Sequence, residues 1–223
     1  MPSLLLVGTP NSGKTALFNR LTGLNQRVAN YPGITVDLSV GRLARIPELD
    51  LVDFPGTYSL RPISEDERVA VAHFDHSLAG PEVVHVVCVV DATRLDKSLF
   101  FCLQVIRACQ RQRRAVTVVA NMGDILRRHA LRIDAQGLSS ELGVPVLVVS
   151  ARTGEGLDGV IERVSRDASV SEPTLSQLNE DAEPGQLIAR EGGNADSALY
   201  EEAHRLAERY GAAADVLLQT QSQ

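Results

Sequence analysis

Gly8-Thr9-Pro10-Asn11-Ser12-Gly13-Lys14-Thr15 has the form GxxxxGKT, between an apolar run and a helix-like stretch. The chemistry follows from the spacing. The glycines let the backbone wrap closely around phosphates, and successive N–H groups with the helix N-terminus hold negative charge. Lys14 is expected to reach the β- and γ-phosphates, and the Thr15 hydroxyl to ligate Mg2+. The phosphate cradle runs from Gly8 to Ala16.

Four further motifs follow along the chain. Asp53-Phe54-Pro55-Gly56 reads as DxxG, where Asp53 can hold Mg2+ through water and the Gly56 N–H can meet a γ-phosphate. Before it, in Asn30-Tyr31-Pro32-Gly33-Ile34-Thr35, Thr35 is expected to close on Mg2+ when triphosphate is bound. Asn121-Met122-Gly123-Asp124 matches NxxD, and the Asp124 carboxylate can accept from both N–H groups on the edge of guanine. Adenine presents no such pair. Ser150-Ala151-Arg152 fits the loop whose backbone N–H contacts the guanine oxygen. DxxG alone is weak, but following the phosphate loop it becomes strong, and the order and spacing of the motifs point to a guanine-nucleotide-binding domain.

Positioning these loops needs a particular kind of fold. Strand-like apolar runs at Leu4–Val7, Thr35–Leu43, Leu49–Val52, Val83–Val90, Ala115–Ala120 and Val144–Val149 alternate with helical stretches. The helices are expected at Lys14–Leu21, Glu65–Leu78, Lys97–Gln110, near Ile125, at Leu138–Leu142 and from Leu157. Continuous apolar strands separated by helices predict an α/β fold with a mainly parallel six-stranded sheet covered on both faces. The pattern stops near Ala168, which predicts a G domain over residues 1–167 and a tail over 168–223. That tail carries one amphipathic helix, Ser197–Tyr210, with Leu199, Ala203, Leu206, Ala207 and Tyr210 on one face. Too short and polar to hold a core alone, it can pack on its own domain or exchange with a neighbour's, so a homo-oligomer is one expectation.

With 44% hydrophobic and 22% charged residues the chain is of globular composition. The stretch Val83–Val90 contains His85, and no run approaches the roughly 20 apolar residues of a membrane span. MPSLLLVGTP lacks a basic n-region and reads as a buried strand, not a signal peptide. Cys88, Cys102 and Cys109 show no metal-ligand spacing, which fits a reducing, cytoplasmic compartment. The net charge of −6 comes from the tail, where Glu172, Glu180, Asp181, Glu183, Glu191, Asp196 and others outnumber Arg190, Arg205 and Arg209. A near-neutral body with an acidic tail argues against nucleic acid as a partner. For the same reason a ribosome- or tRNA-directed GTPase, which shares this type of phosphate loop, lacks support.

Together GTPNSGKTALFNRLTG, NYPGITVD, DFPGTYSL, VVDATRLDKSLFFCLQV, NMGD and LGVPVLVVSARTGEGLD resemble the cytosolic G domain of the ferrous iron transport protein B family, over about residues 1 to 165. The resemblance implies a P-loop GTPase fold, slow GTP hydrolysis with Mg2+, and a helical domain followed by a membrane-embedded part of the same transporter. It also implies that the chain is a piece of a larger protein, on the cytoplasmic face of the inner membrane. Asn11 corresponds to the family's K+-binding asparagine, completed by the loop around Asn30 to Gly33; Asn11 also suits the loop conformation in its own right. The implied catalytic set is Asn11, Lys14, Thr35 and Gly56, with K+ assisting.

Two departures from common GTPase patterns matter. Met122 stands where many have lysine, and Gly123 loosens the loop. Weak GDP binding and fast release are expected; titration giving a sub-micromolar Kd would contradict this. Thr57 stands where many small GTPases place a water-orienting glutamine. This leaves an alternative: a regulatory nucleotide-binding module with loose purine specificity and little hydrolysis. His73 with His76 on one helix, and Cys102 with Cys109 on another, read as surface and core residues, not ligands.

Overall fold

Ser3–Gly8 (β1) is buried at every position because it pairs in parallel on both sides, with Ile46–Asp53 (β4) and Val83–Asp91 (β5). The computed structural model of the chain describes residues 1–24, 26–30, 37–61, 65–169 and 195–214. Within these, the main sheet has seven strands in the order Gln26–Asn30 (β2), Asp37–Leu43 (β3), β4, β1, β5, Ala115–Asn121 (β6) and Val146–Val148 (β8). Strands β6 and β8 continue it in parallel beyond β5. Strands β2 and β3 add to the other edge in antiparallel sense.

All six strands expected from apolar runs lie in this sheet; Thr35 and Val36 fall outside the described residues. The seventh, β2, has the sequence QRVAN. One valine among polar residues gives no apolar signal, because an edge strand is specified by its backbone partner more than by burial.

Alternation along each strand splits the core in two. Leu5 and Val7 face the cluster built with Glu65–Ala79 (α2), Leu95–Arg111 (α3) and Ala135–Leu142 (α5), including Phe74, Leu78, Leu99 and Leu138. Leu4 and Leu6 face Lys14–Thr22 (α1) and Leu157–Ser169 (α6), through Leu17, Phe18, Val160 and Val164. The short helix Gly123–Arg128 (α4) follows β6. Cys88, Cys102 and Cys109 are all buried in the first cluster. The hydrogen bond between Cys88 and Cys102, with burial, pushes the Cys88 thiol well above its ordinary range.

The tail helix Ala195–Tyr210 (α7) does not stand apart. Leu199, Ala203, Leu206 and Tyr210 are buried in the same cluster as α3. Arg205 donates to Glu141 of α5 and to Glu202, each at 2.6 Å, and the Asp134 N–H donates to the Tyr210 carbonyl at 3.1 Å. Leu131–Arg132 (β7) and Ala213–Ala214 (β9) pair beside it. Among the described residues, no helix is long and apolar enough to cross a membrane.

Candidate functional site

Because β1, β4, β5, β6 and β8 run parallel, the loops that leave their carboxyl ends gather along one edge of the sheet. These are the loops that carry the sequence motifs. Register brings them together: Leu6 pairs with Asp53, Gly8 with Val89, Asp91 with Asn121, and Ala120 with Val148.

The first loop turns through two left-handed residues, Asn11 at φ 64° and Gly13 at φ 82°. Asparagine tolerates that region better than most residues. A Cβ on Gly13 would stand 2.2 Å from Asn121 Nδ2, so this position admits only glycine. Helix α1 starts directly after it with no side chain capping its end. Its first N–H groups are therefore directed at whatever anion lies over the loop. Asn11, Thr15 and Ala16 are exposed there, whereas Thr9, Ser12 and Lys14 are buried.

Lys14 Nζ forms an ion pair with Asp53 Oδ1, both side chains being largely buried. Burial raises the Asp53 carboxyl above its ordinary range, and the ammonium offsets that only in part. Gly56 lies against the phosphate loop, its Cβ position being 3.3 Å from Pro10 N and 3.5 Å from Gly8 O. DxxG and GxxxxGKT are thus one surface. The donors Asp53 and Thr15 are hard oxygens and suit Mg2+, and the exposed Asn11 side chain offers a neutral oxygen suited to K+. Thr35, with residues 31–36, lies outside the described residues.

At the other end of the site, Asn121 joins two loops. Its Nδ2 donates to the Ser12 carbonyl at 2.9 Å and its Oδ1 accepts from the Ala151 N–H at 2.9 Å. Met122, left-handed at φ 74°, lays its methyl near Gly13 as an apolar brace. Asp124 accepts from Ser150 Oγ at 2.7 Å and from Arg152 Nε at 2.8 Å, and these bonds hold its carboxyl below the ordinary range. An ionised acceptor suits the reading of two N–H donors on a base. The Gly123 N–H donates to the Val149 carbonyl at 2.8 Å, tying the NMGD turn to the strand end before Ser150.

Sequence reasoning missed three contributors. Arg20 of α1 donates through Nε to the Ala151 carbonyl at 3.2 Å, and through its guanidinium to the Arg152 carbonyl, bracing that loop. Arg127 of α4 and Glu155 of the SARTGEG segment form an ion pair. Ser98 of α3 stands 3.4 Å from Thr9 Oγ1 and accepts from the Asp91 N–H at 3.3 Å. The partners lie 131, 28 and 89 residues apart, so no local pattern marks them.

The family model for ferrous iron transport protein B matches residues 3–164. Two curated relatives, both Fe(2+) transporter FeoB, come from Leptospira biflexa and Salmonella typhimurium. The first is 37% identical over 169 residues, covering 75% of this chain and 23% of the relative. The second is 38% identical over 169 residues, covering 72% and 20%. The chain therefore spans about a fifth of the length of the curated relatives it matches. Among solved structures, a GDP-bound variant of S. thermophilus NFeoB superposes with a TM-score of 0.65 at 31% identity, covering 99% of this chain and 82% of that one. The cytosolic domain of L. pneumophila FeoB gives 0.62 at 32% identity, covering 93% and 88%. The G domain of the T. maritima FeoB iron transporter gives 0.61 at 34% identity, covering 75% and 99%.

Proposed function

The chain belongs to the ferrous iron transport protein B family, and from that membership and its site geometry we propose that it is the GTP-binding, GTP-hydrolysing switch of a ferrous iron transporter. Its fold is that of the P-loop GTPase G domain. The observation that carries the proposal is the Asn121 bridge, which ties the phosphate-loop carbonyl of Ser12 to the Ala151 N–H of the base loop. Phosphate-binding and base-reading loops are thereby one unit, as a nucleotide that spans both requires.

In this reading Gly8 to Ala16 hold the phosphates, and Lys14 exchanges Asp53 for the β- and γ-phosphate oxygens. Asp53 and Thr15, joined by Thr35, would hold Mg2+, and Asn11 would hold K+. When bound, the two cations supply fixed positive charge against the negative charge that develops on the transferring phosphoryl group. The Gly56 N–H donates to the γ-phosphate, water attacks phosphorus, and the bond to the GDP oxygen breaks to give GDP and phosphate. Asp124 selects guanine, and Ser150, Ala151 and Arg152 close over the base. GDP in the S. thermophilus structure supports this ligand, the relatives' names support coupling to ferrous iron transport, and the cytosolic domain of L. pneumophila FeoB supports a place on the cytosolic side of a membrane. The nucleotide unit is drawn as residues 1–167, with the segment from 168 as its link to the membrane-embedded part.

Thr57 favours a second reading. Its hydroxyl donates to the Ser59 carbonyl at 2.9 Å and so is committed to its own turn rather than to a water. Phosphate release from GTP, measured in K+ and Na+ buffers, separates the two readings. Faster turnover in K+ that disappears in Asn11→Ala is expected. Nucleotide bound with no turnover in either salt would leave a regulatory binding module.

A further inference from the structure

The loop after DxxG must be ordered by something, and its own Thr57 hydroxyl serves only the local turn. One side chain of α3 reaches it. Gln104 Oε1 accepts from the Leu60 N–H at 2.7 Å and from Ser59 Oγ at 3.2 Å. Ser59 Oγ in turn accepts from the Arg61 N–H at 2.9 Å, so one carboxamide oxygen organises three consecutive residues. Gln104 is only 9% exposed, although it lies on a helix surface.

Its neighbours on α3 repeat the theme at three-residue spacing. Ser98 stands beside Thr9 of the phosphate loop. Phe101 lines an apolar cleft with Phe54, Pro55, Thr57, Leu60 and Phe74, directly beneath the DxxG segment. Gln104 then holds the far end of that segment. A single row of α3 thus touches the phosphate loop, the underside of DxxG and the turn that follows it.

We propose that Gln104 is a positioning residue for hydrolysis: it latches the 57–61 turn to α3 and so holds the Gly56 N–H where the γ-phosphate arrives. The inference rests on the hydrolytic reading above and deepens it. A donor fixed before the reaction costs no ordering during it, which is where such a group lowers the barrier. GDP carries no γ-phosphate, so its affinity is independent of the latch.

The test compares Gln104→Leu, which removes the acceptor at similar volume, with Gln104→Glu, which keeps one. Gln104→Leu is expected to lower kcat roughly five- to tenfold, the worth of one to two hydrogen bonds, with GDP affinity unchanged. Gln104→Glu is expected to restore most of that loss. Unchanged kcat in Gln104→Leu overturns the proposal. So does a parallel loss of kcat, GDP affinity and thermal stability that Gln104→Glu fails to relieve, because that is general loosening of the core. Exchange of the Leu60 amide hydrogen supplies a readout without turnover. It quickens about tenfold in Gln104→Leu if the side chain holds the turn, and stays unmoved if it does not. A wild-type chain that hydrolyses no GTP would sink the hydrolytic reading, and amide exchange would still decide the latch.

Discussion

Lys14→Ala is expected to abolish GTP turnover and to remove nucleotide binding measurable by titration. Lys14 is the one cation inside the phosphate loop itself, buried to 9% exposure and paired with Asp53. Phosphate oxygens brought to this loop would keep the N–H donors of α1 but lose the full positive charge. Loss of a single preorganised donor of this kind costs about 10²–10³ in rate, and a charged one in a water-poor site costs more. A second effect has to be separated from the first. Removing Lys14 leaves Asp53 buried without its partner, and burial already raises that carboxyl. An unpaired buried carboxylate, or the cost of protonating it, then weakens the fold. The variant Asp53→Asn in the Lys14→Ala background relieves the orphaned charge, so it should regain thermal stability without regaining nucleotide binding. Turnover retained in Lys14→Ala would refute the phosphate-binding reading of the whole loop.

Asp167→Ala is expected to destabilise the fold by about 1–3 kcal/mol, the cost of leaving buried hydrogen-bonding groups without their partner. At the end of the sheet remote from the phosphate loop, His85 of β5 is completely buried, with Nε2 3.0 Å from Thr117 Oγ1 of β6 and Nδ1 2.9 Å from Asp167 Oδ2. Arg163 Nε stands 3.3 Å from the same carboxylate oxygen. Asp167 is 4% exposed and joins the end of α6 to two central strands. Burial by itself would raise its carboxyl. The contacts from His85 and Arg163 outweigh it and hold the group below its ordinary range. The sign of the pH dependence follows from that direction. With the folded value below the unfolded one, the contribution is complete above about pH 4 and fades as pH falls through the folded value. Denaturant unfolding of the wild type and of Asp167→Ala should therefore give curves far apart at pH 7 that converge in acid. A gap that stays constant down to pH 3 would show that the carboxylate charge plays no part.

The motif loops were legible because each is a local device. A glycine five residues before GK, a carboxylate at a strand end, and an NxxD turn all declare themselves within a few positions. Periodicity located the parallel strands for the same reason, since burial on both faces leaves continuous apolar runs. The polar edge strand β2 escaped because its reason to exist is the backbone of β3. His85 was visible only as an interruption in an apolar run. Its partners, Thr117 and Asp167, lie 32 and 82 positions away and share no pattern with it.

Sequence by itself determined the kind of fold, the order of the motif loops and the apolar face of the tail helix. Those depend on spacing and hydrophobicity, which act over a few residues. Tertiary structure alone decided that Lys14 rests on Asp53, that Arg20 braces Ala151, that Gln104 holds Leu60, and that α7 joins the core beside α3. A hydrogen bond has a range of about 3 Å, and only the packing of α1 and α3 against the sheet brings groups so distant along the chain within it.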